Sequence, residues 1–93
     1  MVKFVADVEK GILALGGELH SDAEALLLEK GSSQKHLWGG NIYPDAADYR
    51  IQYTSMINIR PSSGNRSRGV ESEPLRHQIT AIVRKWIPHE LST

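Results

Sequence analysis

Between Ser72 and Pro88, apolar side chains return every three or four residues: Leu75, Ile79, Ile82, Val83 and Trp86. Only an α-helix brings positions i, i+4, i+7, i+8 and i+11 onto one stripe. Ser72 is placed to cap the first turn, Glu73 and Pro74 fall where an acid and a proline suit a helix start, and Pro88 stops the helix. Arg76, His77, Thr80, Arg84 and Lys85 take the outer face, with the last two near the negative end of the dipole. Burying the stripe contributes roughly 1.5–3 kcal/mol per side chain before ordering entropy is charged. A helix with one apolar face must cover an apolar surface, and the rest of the chain has to supply it.

The upstream sequence reads as strands. Residues 2–8 alternate, with Val2, Phe4, Ala6 and Val8 on one face, and Glu9-Lys10-Gly11 makes a turn. Ile12 to Leu15 begins a second strand, expected to continue through Gly16-Gly17 toward His20 with a bulge at the glycines. Residues 21–31 are ambiguous. Ser21 and Glu24 have capping-box spacing and Leu19, Ala23, Leu26 and Leu27 fit a helical stripe, but the run is short and ends in a turn cluster, so a strand is the favoured reading. LWGGNIY at 37–43 is a strand closed by Pro44, with Trp38 beside two glycines reading as core, and 45–48 form a loop. IQYTSMINIR gives the clearest alternation: Ile51, Tyr53, Ile57 and Ile59 share one face, and Pro61 ends the run. The expected architecture is α+β, one domain over residues 1–93, with an antiparallel sheet of four to five strands packed against a single C-terminal amphipathic helix. The two rows expected to meet are Ile51, Tyr53, Ile57 and Ile59 against Leu75, Ile79, Ile82 and Trp86.

With 93 residues there is room for one core, and 40% apolar content suits it. The absence of cysteine excludes disulfides and thiolate metal sites. MVKFVADVEK reads as neither a secretory signal nor a membrane span, which makes the cytoplasm the expected compartment. The formal net charge is zero, so general binding to nucleic acid or membrane is not expected. The charge is unevenly placed, however. Residues 1–48 hold four lysines against eight carboxylates, a balance of −4, whereas residues 49–93 hold six arginines and one lysine against three carboxylates, a balance of +4. Arginine suits bidentate recognition of carboxylate or phosphate.

Two constellations carry candidate chemistry. In an extended backbone Glu18, His20, Asp22 and Glu24 would share one face, about 7 Å apart, and a mixed carboxylate–imidazole set suits zinc, manganese or iron, or a general base at His20. A solvated polar row or a helix cap gives the same pattern without function. The second constellation is Arg60 with Ser63, Asn65, Arg66 and Arg68, in a glycine- and serine-rich loop leading into the C-terminal helix. Such a loop can turn its N–H groups inward as an anion nest, although GxxxxGK[ST] is absent. Its structural alternative is a strand-to-helix connection whose arginines meet carboxylates such as Glu71 or Glu73. His36, His77 and His89 lack partners at ligand spacing and read as surface residues.

GGELHSDAEALLLEKGSSQKHLWGGNIYP and SMINIRPSSGNRSRGVES together resemble a family of small bacterial proteins classed as a domain of unknown function, over Val5 to Ile87. The resemblance implies a further helical segment ahead of Val2 in other members, and it implies no activity and no catalytic residues. The loop composition and the charge asymmetry give the functional expectation, a small non-enzymatic binding or interaction protein with an anion-binding arginine loop, taking an anionic small ligand. The alternative is a metal-dependent or acid–base enzyme using Glu18, His20, Asp22 and Glu24. Open sheet edges add the expectation of a homodimer.

Overall fold

The computed structural model describes residues 1–44 and 49–87. The expected loop at 45–48, the helix stop at Pro88 and the surface placement of His89 lie outside the described residues. Four strands, β1 (Val2–Asp7), β2 (Ile12–Leu15), β3 (Leu37–Pro44) and β4 (Tyr49–Gln52), form one antiparallel sheet in the order β2-β1-β3-β4. Two helices complete the fold, α1 (His20–Glu29) and α2 (Glu73–Trp86).

The alternation of β1 sends its residues to two cores. Phe4 and Ala6 join Trp38, Ile42, Tyr49, Val70 and the buried Ile79, Ile82 and Val83 of α2. Val5, on the opposite face, joins Ala14, Leu37 and the Ala23 and Leu27 of α1. The sheet is thus covered by a helix on each face, an α+β fold with α2 as expected: Ser72 Oγ accepts from the Leu75 N–H at 3.3 Å, and Pro74 sits in the first turn. Trp86 is not part of the buried stripe. Its indole N–H donates to the Gly11 carbonyl while its ring stays exposed.

The segment favoured as a strand at 21–31 is instead α1, and β2 ends at Leu15 rather than running through the glycines. Gly16 and Gly17 take φ of +89° and +83°, a left-handed pair that turns the chain off the sheet. Ala23 and Leu27, one turn apart, then cover the face that α2 leaves open. Ser21 is not the cap; Asp22 Oδ2 accepts the Leu19 N–H at 3.1 Å. Leu26 and Leu28 are exposed, so an apolar run on every side of the helix blurred its stripe.

The alternating run at 51–60 is strand only to Gln52. Ile51 and Tyr53 pack on the α2 side, Ile57 packs on the α1 side, and Ile59 is exposed, so the four do not share a face. The pairing of β3 with β4 ends at Asn41 and Gln52, which leaves the backbone of β3 from Leu37 to Gly39 open on that side. Side chains close it. Asn58, fully buried, accepts the Gly39 N–H at 2.8 Å and donates to the Gly39 carbonyl at 3.0 Å and the Arg68 carbonyl at 2.9 Å. Two residues on, the Arg60 guanidinium donates to the Leu37 carbonyl. Asn58 and Arg60 thus stand in for a strand at the two-residue spacing of the β-ladder.

Candidate functional site

Helix α1 covers only part of its sheet face. Val5, Ala14 and Leu37 lie beneath it, while the Lys3 end of β1 stays open. On β3 the residue across from Lys3 is Asn41, whose other neighbour is Gln52 of β4. The first residues of α1 stand at one side of this uncovered end, the segment from Thr54 to Ile57 and Arg68 at the other. Together they enclose a cavity of about 370 Å³. Gly39 lets them come this close: a Cβ there would lie 2.7 Å from the Ser55 Cβ and 3.2 Å from the His20 ring.

The cavity mixes charge, a buried polar group and apolar surface. Lys3 and Arg68 contribute cations; Leu19, Met56 and Ile57 contribute apolar surface; His20, Ser21 and Ser55 contribute polar groups. The α1 residues that line it are its first, where backbone N–H groups and the positive end of the dipole favour negative charge. Asn41 is 7% exposed. Its Nδ2 donates to Gln52 Oε1 at 2.8 Å and to the Thr54 carbonyl at 3.4 Å, two acceptors that fix the amide orientation. Its Oδ1 is buried and has no hydrogen-bond partner. A buried acceptor left without a donor costs roughly 1–3 kcal/mol, so this one asks for a donor from whatever fills the space. His20 Nε2 lies 2.7 Å from the Gly40 carbonyl, which can only accept, so the neutral ring keeps its proton on Nε2 and leaves Nδ1 basic.

Each expected constellation is divided by the fold. From the acidic–imidazole set, His20 reaches the cavity; Glu18 is exposed, Asp22 is engaged by the Leu19 N–H, and the half-buried Glu24 faces Arg60 electrostatically. Since α1 is a helix, the four do not form a one-faced row. No three His, Asp or Glu side chains among the described residues come together as metal ligands.

From the arginine loop, Arg68 lines the cavity. Arg60 serves the fold: it stacks over the Trp38 ring at 4.3 Å and donates to the carbonyls of Leu37, Ile57 and Gln34. Burial lowers its pKa, and the Glu24 carboxylate works in the opposite direction. Asn65 is buried, and its side chain ties the Asn58, Ser67 and Gly69 carbonyls to the Glu71 N–H. Ser63 is exposed beside Gly64, in a tight turn. The anion nest exists, and the anion in it is Glu71. Its Oε2 accepts the Arg66 N–H at 2.7 Å, the Ser67 N–H at 2.9 Å and the Ser67 hydroxyl at 3.1 Å. These donors hold the Glu71 carboxyl below the usual glutamate range.

Sequence reasoning singled out His20 and Arg68 but missed Lys3, Asn41 and Met56. Asn41 had a signal, a lone amide inside the apolar strand LWGGNIY. Lys3 had none without the strand register.

Fold and cavity together define a small α+β domain, a four-stranded antiparallel sheet between two helices with a ligand-sized pocket at one uncovered end. The chain belongs to the family described as protein of unknown function (DUF5674), whose profile matches residues 1–86. No curated protein and no solved structure matches the chain.

Proposed function

We propose that this chain is a non-enzymatic binding domain that takes an anionic group into the cavity between Lys3, the start of α1 and Arg68. The two cations that line one cavity, Lys3 and Arg68, carry the reading, and the buried, unpartnered Asn41 Oδ1 beside them adds a need for a donor on the same ligand. The arginine loop then contributes one side chain, Arg68, to ligand capture, and its remaining polar groups serve to build the loop.

Titration of the isotope-labelled protein with inorganic phosphate or acetate, followed by amide NMR, tests this. The expected result is saturable movement of the His20, Ser21, Asn41 and Ser55 signals. Arg68→Ala keeps the backbone carbonyl on which Ser55 and Asn58 depend, so it should fold and weaken binding at least tenfold, while Arg66→Ala should not change it. No movement with either anion, or equal binding by Arg68→Ala, overturns the proposal.

An enzymatic reading is favoured by one observation, the presence of His20 in the same cavity. It would use His20 Nδ1 as a base without Glu18, Asp22 and Glu24. Stoichiometric metal in the purified protein would support the metal-dependent form of that reading, and metal-free protein unaltered by His20→Ala would remove it.

A further inference from the structure

The large apolar side chains most exposed among the described residues are Met56 (63%), Met1 (62%) and Leu19 (61%), and all three line the cavity proposed above. Such exposure is ordinary for scattered residues but not for an apolar collar around one cationic opening. Three demands therefore converge on an occupant. Lys3 and Arg68 favour a negative charge beyond the Asp22 carboxylate already at the start of α1. Asn41 Oδ1 requires a hydrogen-bond donor. Leu19, Met56 and Met1 at the collar, with the half-buried Ile57 behind them, require apolar surface extending beyond what the cavity itself encloses.

Inorganic phosphate meets the charge and can donate through a P–OH but brings no apolar surface, and a fatty-acid carboxylate lacks the donor. A polypeptide C-terminus meets all three: a free α-carboxylate, the N–H of its last peptide bond, and an apolar final side chain followed by further residues to cover the collar. We infer that the cavity captures the C-terminal end of a partner protein whose last residue is apolar, the carboxylate seated among Lys3, Arg68 and the α1 N-terminus and the last N–H donating to Asn41 Oδ1. Terminal carboxylates are recognised by such combinations of backbone N–H groups and cations in other peptide-binding folds. This inference rests on the anion-binding reading of the same cavity.

The test uses the full chain and a pool of hexapeptides ending in leucine, isoleucine, valine or phenylalanine, in three chemical forms. The free-acid pool should bind with saturable shifts at His20, Asn41 and Met56. Amidating the terminus, or replacing the last peptide N–H by an ester oxygen, should each weaken binding at least tenfold, and the ester probes Asn41 without altering the protein. Equal binding of acid and amide pools, or no loss with the ester, overturns the inference. So does N-acetyl-leucine binding as tightly as the peptides, which would make the ligand a small acid. If phosphate and acetate bind and no peptide does, the anion site stands and the partner is wrong. If nothing binds, both fall.

Discussion

Asn58 shows how much one side chain can decide. An alternating template puts it on the solvent face of a strand, yet it is fully buried and closes the edge of β3 by bonding both backbone groups of Gly39. Asn58→Leu keeps the heavy-atom count and leaves the Gly39 N–H and carbonyl without these partners, while the Arg68 carbonyl keeps the Ser55 N–H, so urea denaturation should register a loss of about 2 kcal/mol or more. Asp7 is the corresponding anchor at the β1–β2 turn, accepting the Glu9 and Lys10 N–H groups and the Ser32 hydroxyl. Burial raises its pKa, but the three donors outweigh it, and the carboxyl ends below the ordinary aspartate value. A depressed folded pKa gives stability that is complete above the unfolded value of about 3.9 and is lost as pH falls through the lower, folded one. Asp7→Asn should therefore lower the midpoint at neutral pH and flatten its fall in acid; an unchanged acid limb would show that other carboxylates set it.

At the scale of elements, α1 and the loop before α2 each have a testable job. Helix α1 is fastened by Ala23 and Leu27 on Val5, Ala14 and Leu37. Leu27→Ala should cost about 2–5 kcal/mol, and the same change at exposed Leu26 should cost little. In the loop, Glu71 ligates its own nest, and its replacement by Gln removes the charge that Arg66 and Ser67 enclose. Faster hydrogen exchange at those two amides, with the sheet amides unaffected, is the expected signature. Composition alone could not say that the Arg66 and Ser67 N–H groups take Glu71, a carboxylate of the chain itself.

Across the whole molecule, α1, sheet and α2 stack as three layers, and both outer strands of the sheet are only four residues long. The homodimer expected from open edges would have to form on one of these, and light scattering giving twice the chain mass is its expected result; a monomer mass removes it. Among the described residues no helix is long and apolar enough to cross a membrane. Local sequence was sufficient for α2, for the hairpin at Gly11 and for β3, because each is set by periodicity and by residues with strong backbone preferences. It was insufficient for α1, whose leucines face both core and solvent, and for residues 53–60, where the chain leaves the ladder to seal β3 with Asn58 and Arg60. The cavity was beyond its reach for the same reason. Lys3, Asn41, His20 and Arg68 become neighbours through strand register and the docking of α1, and proximity between residues far apart in sequence is a property of packing rather than of any local pattern.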